Sequence, residues 1–146
     1  MEISIRQMEI KDLPEIMDIE MSSFSIPWSA TAFINEINKI NSLTKVAEFQ
    51  GKVIGYICIN YIFNEAHILN LAVHPDYRRQ GIATALMKDA LSNLFKKGCI
   101  YFYLEVRESN IIAQRFYKKF GFKTVGKRKG YYLSPNEDAI IMMLRL

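Results

Sequence analysis

Polar and apolar residues alternate along several short stretches of the chain, as they do in β-strands with one buried face. Residues 2–8 show this alternation and predict a first strand. Residues 43–49 and 53–63 predict two further strands joined in a hairpin, because Gln50-Gly51-Lys52 has the composition of a turn. Residues 65–73 predict a fourth strand, so the first half of the chain supplies much of a sheet.

Apolar positions three and four residues apart predict four helices. The clearest runs from Gly81 to Lys97, and Gly98 stops it. A first helix is expected from Asp12 to about Ser23, with Asp12 as its N-cap and Glu15 completing a capping box. The other two helices are expected to begin at Ser29 and at Ser109 or Asn110, and Gly121 ends the last of them.

The second half of the chain predicts three more strands. Residues 99–106 form a nearly continuous apolar run, which is typical of a buried strand, and residues 122–128 and 138–145 predict two more. A helix lies between strands 65–73 and 99–106, so this pair is expected to be parallel and connected by a right-handed crossover. The chain is thus expected to be one α/β (mixed α+β) domain over residues 1–146, with a mainly antiparallel sheet of about seven strands and about four helices.

The composition is that of a globular protein. Hydrophobic residues make up 50% and charged residues 23% of the 146 residues, which excludes a mainly disordered chain. No apolar run approaches a membrane span, and the first residues show no signal peptide, so we expect a cytoplasmic protein without membrane contact. Cys58 and Cys99 lie in apolar stretches and are interpreted as buried thiols. No Cys/His cluster exists, so no metal is expected.

The net charge of +4 is a mild excess that suits an anionic ligand. The densest basic run, Lys127-Arg128-Lys129, is short and is interpreted as a solvated turn, so direct nucleic-acid binding is not expected. We assign structural roles to His67, on the sheet surface, and to His74, in the loop before Pro75.

The most informative segment runs from Leu71 to Thr84, where a buried strand ends, a polar loop follows and a long helix begins. Backbone N–H groups at a helix start lack partners within the helix, and the helix dipole adds positive charge there. Arg78 and Arg79 lie beside this point, and Gly81 and Ala83 let an anion approach the backbone. The segment therefore predicts a phosphate or pyrophosphate site, although it matches neither a P-loop nor a dinucleotide fingerprint.

Arg78-x-x-Gly81-x-Ala83 resembles the pyrophosphate-binding loop of the GNAT family of acetyl-CoA-dependent N-acetyltransferases. The resemblance covers nearly the whole chain and is sharper for the RimI-like branch, which acetylates the N-terminal alanine of a small-subunit ribosomal protein. The segments that carry it occur in order: Pro27-Trp28-Ser29, Leu69-Asn70-Leu71-Ala72-Val73, Tyr103-Leu104-Glu105-Val106-Arg107, Ser109-Asn110, Tyr117 with Gly121-Phe122, Tyr131-Tyr132 and Glu137-Asp138-Ala139.

The resemblance implies a sheet splayed between the fourth and fifth strands, with the cofactor arm in the gap. It implies Glu105 as the catalytic base and Tyr117 as the acid. Backbone groups on the cofactor arm would come from Leu71, Ala72 and Val73, the pyrophosphate would be held by the loop around Arg78, and Asn110 would contact the arm. The residues that would hold the pyrophosphate are Arg79, Gln80, Gly81, Ile82, Ala83 and Thr84. Trp28, Tyr131 and Tyr132 would line the channel for the acceptor, the N-terminus of a ribosomal or other protein.

Other interpretations of these residues remain open from the sequence. Glu105 interrupts an apolar strand and could form a surface ion pair with Arg107 or a lysine, and Tyr117 could be a core tyrosine. Trp28, Tyr131 and Tyr132 could serve in packing alone. The function also has alternatives: a GNAT enzyme that acetylates a small amine or a lysine, or a non-catalytic module that binds acetyl-CoA and RNA.

Overall fold

The structure, a computed structural model, describes all of residues 1–146. It contains one seven-stranded sheet and four α-helices. The strands are β1 (Ser4–Gln7), β2 (Ser42–Phe49), β3 (Lys52–Ile62), β4 (Glu65–Val73), β5 (Tyr101–Arg107), β6 (Lys123–Leu133) and β7 (Asn136–Arg145). The helices are α1 (Leu13–Ser23), α2 (Ala30–Asn38), α3 (Ile82–Lys96) and α4 (Ile111–Lys119), and short 3₁₀ turns cover Ile10–Asp12 and Pro75–Tyr77.

The strand order is β1-β2-β3-β4-β5-β7-β6, and only β4 and β5 run parallel. The predicted fold class, strand number and helix number are confirmed. The bounds of the elements differ by a few residues, most at the last hairpin, where β6 continues to Leu133. Its extension arises from pairing with β7 across two register shifts, and such pairing leaves no local signal in the sequence.

The start of α1 differs from the prediction. Asp12 makes no side-chain cap bond to this helix, because its carboxylate accepts hydrogen bonds from the Glu9 N–H at 2.8 Å and from Nη1 and Nη2 of Arg6. Glu15 completes no capping box and instead accepts the Val53 N–H at 3.1 Å. A 3₁₀ turn precedes α1, and Glu9 and Asp12 form the capping box of that turn. A carboxylate in the first turn can serve either kind of bond, so tertiary contacts decide between them.

Two apolar clusters fill the two faces of the sheet. One contains side chains of α3, including Leu86, Met87 and Leu94, against β3, β4 and β5. The other contains Ile16, Ile19 and Phe33 of α1 and α2 against β2 and β3. Both predicted thiols, Cys58 and Cys99, are buried within these clusters.

The sheet opens between β4 and β5. These strands pair over only three positions, Glu65↔Tyr101, Ala66↔Phe102 and His67↔Tyr103. Just beyond, Ile59 faces Ile68 and Cys58 faces Asn70, so Leu69 is an extra residue that bulges from β4. A bulge bends its strand and increases the local twist, which turns the end of β4 away from β5. The predicted splay between these strands is confirmed.

Candidate active site

Glu105 lies on β5 two residues beyond the last pair with β4, where the gap begins. Its side chain is 7% exposed, so it is not the surface carboxylate that a strand edge would give. Its partner is neither Arg107 nor a lysine. Instead Oε2 lies 2.6 Å from Nε2 of His67, which comes from β4 on the other side of the gap.

Tyr117 lies on α4 among aromatic side chains, with its ring centroid 5.2 Å from Phe116 and 5.6 Å from Phe122. Burial raises the pKa of its hydroxyl, and the neighbouring Tyr132 phenol raises it further. Tyr132 in turn has its pKa raised to about 12, mainly by burial and also by Tyr131 and Glu105. Tyr132 therefore lies within electrostatic range of both Glu105 and Tyr117.

The loop before α3 has the backbone of an anion site. Arg79 and Gly81 both have positive φ, 62° and 82°, and Gly81 is the N-cap of the 15-residue helix. No atom lies within 4 Å of the position a Cβ would take on Gly81, so this backbone is open to a ligand. The chemistry fits a pyrophosphate, because unpartnered N–H groups and the positive end of the dipole meet there.

Arg78 braces this loop. Its Nε donates to the carbonyl of Val73 at 3.0 Å, and Nη2 donates to Ser23 Oγ at 3.1 Å. The Arg78 side chain thus links the end of β4 to the end of α1. Among the other residues predicted for the loop, Ile82 is buried, Gln80 is exposed, and Ala83 and Thr84 are partly exposed.

The end of β4 presents free backbone groups to the gap. The His74 N–H donates to Ile54 O at 2.8 Å on the β3 side. Successive residues of a strand point their N–H groups to opposite sides, so those of Leu71 and Val73 face the gap and that of Ala72 faces β3. A linear molecule with amide groups could therefore pair with Leu71 and Val73 as an added strand.

Asn110 caps α4 and is one of the two residues, with Ser109, that the sequence offered for this position. Its Oδ1 accepts the Ala113 N–H at 3.1 Å. The residue is exposed and lies three positions beyond the end of β5, at the same edge of the sheet as the gap.

Two segments flank the site on the α1 and α2 side. The loop between these helices holds Trp28, whose ring lies 5.1 Å from Phe33, and the β6–β7 hairpin holds Tyr131 and Tyr132, whose rings meet edge to face at 5.0 Å. The hydroxyl of Ser25 donates to Ser134 O at 3.0 Å and joins the two segments. Trp28, Tyr131 and Tyr132 are thus in position to line one entrance.

Arg107 fixes the hairpin. It donates to Pro135 O at 2.9 Å, to Ser134 O at 3.2 Å and to Glu137 at 3.2 Å. Its guanidinium carbon also lies 4.3 Å from the centre of the Tyr132 ring. Glu137 accepts from Arg107 and from the Ser109 N–H and so ties the hairpin to the end of β5, whereas Asp138 accepts the Gly130 N–H within the hairpin.

Glu20 is a buried residue beside the site that was not predicted from the sequence. This carboxylate is 1% exposed and accepts from Tyr56 Oη at 2.5 Å, Asn70 Nδ2 at 2.8 Å and the Trp28 N–H at 2.8 Å. It therefore connects α1 to β3, to β4 beside the bulge and to the Trp28 loop. Its signal was a glutamate among the apolar positions of an amphipathic helix.

His67 is placed on the sheet surface, as expected, but it has a partner that the sequence did not reveal. Its ring stacks on Tyr103 at a centroid distance of 4.3 Å and an angle of 11°, and its Nε2 meets Glu105. His74 has the structural role predicted for it, since its Nδ1 accepts the Asp76 N–H at 3.1 Å.

None of the four helices has the length and apolar character needed to cross a membrane. No three side chains among His, Cys, Asp and Glu converge on a point where they could hold a metal ion.

The chain is similar to known acetyltransferases along its whole length. The model of the "Acetyltransferase (GNAT) family" matches residues 13–122. The "Putative [ribosomal protein bS18]-alanine N-acetyltransferase" of Bacillus subtilis is 36% identical over 98% of this chain and 95% of its own length. The "[Ribosomal protein bS18]-alanine N-acetyltransferase" of Escherichia coli is 35% identical over 97% of this chain and 96% of its own length.

A solved structure agrees with the sequence comparison. The crystal structure of the ribosomal-protein-S18-alanine N-acetyltransferase from Escherichia coli superposes with a TM-score of 0.91 at 34% identity, covering 99% of this chain and 94% of that one. The family model, the relatives that match over nearly the full length and the superposed structure all agree with the open sheet and the loop before α3. The chain therefore belongs to the GNAT family and is an N-acetyltransferase.

Proposed function

We propose that the protein transfers the acetyl group of acetyl-CoA to the α-amine of a protein N-terminus, and that its acceptor is the N-terminal alanine of ribosomal protein bS18. The observation that carries this proposal is the similarity, over nearly the full length of the chain, to the Bacillus subtilis and Escherichia coli enzymes of that name. An enzyme acting on a ribosomal protein belongs in the cytoplasm, which we propose as its location.

Glu105 is the base in this proposal. It is the carboxylate at the point where β4 and β5 separate. Only His67 forms a hydrogen bond with it, through Oε2, so Oε1 is left to accept a proton. The amine must lose a proton as the new C–N bond forms, and Glu105 takes it directly or through a water molecule.

Tyr117 is the acid. Its raised pKa keeps the phenol protonated at neutral pH, which is the form that can donate. The proton goes to the sulfur that leaves when the C–S bond breaks. The Val73 N–H faces the gap and donates to the acetyl oxygen, which gains negative charge during the transfer.

Acetyl-CoA supplies the activated acetyl group. The backbone between Arg79 and Thr84 holds the pyrophosphate, Leu71 and Val73 pair with the arm, and Arg78 keeps the loop in place. Asn110 lies at the same edge and contacts the arm through the part of its side chain that capping leaves free.

The acceptor enters between the Trp28 loop and the β6–β7 hairpin, with Trp28, Tyr131 and Tyr132 as walls. A crystal structure of the NatC complex bound to Gag peptide and CoA superposes on this chain with a TM-score of 0.87 at 26% identity, covering 100% of this chain and 99% of that one. That complex is bound to a peptide together with CoA, which supports an entrance of this kind.

An α-amine suits this site better than a lysine. With a pKa of about 8, roughly a tenth of an α-amine is neutral at pH 7, whereas a lysine with a pKa near 10.4 is neutral only about four times in ten thousand. Glu105 then has to remove a proton during the reaction only, and needs no preceding deprotonation of an ammonium ion. A small-amine or lysine substrate remains the alternative that an experiment must exclude.

The test compares two peptides incubated with acetyl-CoA and analysed by mass spectrometry. One begins with Ala-Arg and has a free α-amine. The other has the same residues, a blocked N-terminus and an internal lysine. We expect acetylation of the free α-amine alone. Preferential acetylation of the blocked peptide would overturn the proposed acceptor and leave the N-acetyltransferase assignment intact.

A further inference from the structure

We propose that His67 is a positioning residue of the reaction, which holds the Glu105 carboxylate across the opening of the sheet. The inference rests on the proposed function, in which Glu105 is the base. His67 was assigned a structural role from the sequence alone, and the geometry of the gap points to a larger one.

The contact is short and its geometry is fixed. His67 Nε2 lies 2.6 Å from Glu105 Oε2, which is at the short limit of charge-assisted hydrogen bonds between nitrogen and oxygen. The imidazole cannot turn freely, because it lies flat on Tyr103 with ring centroids 4.3 Å apart and planes 11° from parallel. A rigid donor on one strand thus sets the direction of a carboxylate on the other.

No other side chain can substitute for His67. Arg107, the nearest cation on β5, spends its donors on Pro135, Ser134 and Glu137. Lys127 is paired with Glu108 at 2.8 Å, and Arg128 lies over the Tyr131 ring. A carboxylate that is 7% exposed needs a donor, and His67 is the only protein group that supplies one.

The His67–Glu105 bond lies where the backbone pairing of β4 and β5 ends. His67 and Tyr103 form the last backbone pair between β4 and β5, and Glu105 is the next residue on that face of β5. The His67–Glu105 bond therefore links the two strands at the point where the backbone ladder stops. It holds Oε2 on the β4 side and leaves Oε1 for the reacting amine.

The imidazole of His67 also lines an open cavity. This cavity has a volume of about 310 Å³ and is lined by His67 and Tyr103 together with Tyr61, Glu65 and Lys39, among others. His67 is 27% exposed there. Its second nitrogen therefore reaches solvent and needs no buried partner, so the ring is free to serve Glu105.

The test uses five variants of the full chain with the free α-amine peptide. His67→Phe keeps a flat ring for Tyr103 but removes the donor, and His67→Gln keeps a donor amide in a side chain of similar reach. Glu105→Gln removes the base, and the double variant combines it with His67→Phe. Tyr61→Phe is the matched control, because Tyr61 lines the same cavity without touching Glu105.

We expect His67→Phe to lower kcat by about 10–100-fold, as is common when a group that orients a reacting ligand is lost, with both KM values within about twofold. His67→Gln should recover most of that loss, and Tyr61→Phe should match the parent. In the Glu105→Gln background, His67→Phe should cost little more, since the two residues act as a unit. Calorimetry with acetyl-CoA should give unchanged affinity for His67→Phe, which shows an intact fold.

A normal kcat for His67→Phe beside an impaired Glu105→Gln would overturn the role of His67 and leave the proposed function standing. Losses that multiply in the double variant, or a change in KM alone, would overturn it as well. A normal kcat for Glu105→Gln would instead remove the base from the proposed function, and the inference with it.

Discussion

At the residue scale, three glutamates show how surroundings divide one side-chain type among three tasks. Glu137 is held by Ser109 and Arg107, whose hydrogen bonds lower its pKa. Glu20 is buried with three neutral donors and no cation. Glu105 has a single partner, His67, and an open side toward the gap. Only the last arrangement leaves an oxygen free to exchange a proton with a ligand.

Glu105→Gln should lower kcat by about 10²–10⁴-fold at pH 7, because the amide has nearly the same shape but cannot take a proton. The loss should shrink at higher pH, where hydroxide increasingly takes the proton that Glu105 accepts in the parent. Steady-state rates between pH 6.5 and 9.5 measure this. A constant ratio to the parent across that range would contradict a proton-accepting role.

Tyr117→Phe should lower kcat by about 10²-fold, near the lower end for acid catalysis, because a thiolate with a pKa of about 8.5 leaves readily. Burial raises the pKa of Tyr117, so its hydroxyl stays protonated well above neutral pH. The defect should therefore stay constant with pH, unlike that of Glu105→Gln. A Tyr117→Phe defect that disappears at pH 9 would count against this role.

Glu20→Gln should weaken the acceptor site and the fold together. The amide turns an N–H₂ group toward one of the three donors, Tyr56, Asn70 or the Trp28 N–H. An unpaired buried donor costs about 1–3 kcal/mol of unfolding free energy. We expect a higher KM for the peptide with little change for acetyl-CoA, since Trp28 lies on the acceptor side. Denaturant unfolding and steady-state kinetics check the two parts, and Glu36→Gln in α2 is a matched control.

At the element scale, the site is made by two irregularities in otherwise regular structure. The extra residue Leu69 ends the pairing of β4 with β5, and the positive φ of Gly81 exposes the N-terminus of α3. The first creates a gap that a linear molecule can enter, and the second exposes the backbone at which we propose that the pyrophosphate binds. Each lies on a rigid element, which keeps the distance between them constant.

Gly81→Asp should greatly weaken acetyl-CoA binding. The change puts a side chain at φ 82°, fills the open space above the backbone and adds a negative charge beside a pyrophosphate. Isothermal calorimetry measures the affinity, and circular dichroism checks that the fold is kept. Gly51→Asp, at φ 77° in the β2–β3 turn, is the matched control and should bind as the parent does. Equal affinity in Gly81→Asp would place the cofactor elsewhere.

At the scale of the whole molecule, the gap divides the sheet into two parts. One contains β1 to β4 and the other contains β5, β7 and β6, and within the sheet they are joined by three residue pairs between β4 and β5. The His67–Glu105 bond adds a side-chain link between the two parts, and the Ser25–Ser134 bond links the α1–α2 loop to the β6–β7 hairpin. A ligand that pairs with β4 and contacts the residues after β5 would add further links in the folded state only.

Acetyl-CoA should therefore raise the melting temperature. At a hundred times its Kd, a ligand that binds only the folded state adds about 2.7 kcal/mol, which corresponds to roughly 5–11 °C for a chain of this size. Thermal unfolding with increasing acetyl-CoA measures the shift. Gly81→Asp should show little shift at the same concentrations. An equal shift in both would mean that the ligand stabilises the protein through another site.

The sequence by itself determined the types and order of the elements, because the hydrophobic period is a local property of each segment. The sequence also predicted an anion-binding loop before α3, because Arg78, Arg79 and Gly81 are close together along the chain. Glu105 and Tyr117 became candidates only through the family resemblance, since a glutamate in a strand and a tyrosine on a helix have several ordinary uses. Their roles in the reaction stay predictions until the variants are measured.

Tertiary structure alone decided which groups meet. His67 and Glu105 are 38 residues apart, and Glu20 and Asn70 are 50 apart, so no local pattern could announce either contact. The bulge at Leu69 likewise depends on how β4 fits β3, and neither strand has a residue that demands it. Tertiary structure also decided the hydrogen-bond partners of Asp12, Glu137 and Asp138, because a carboxylate accepts from whichever donor the packed chain brings nearest.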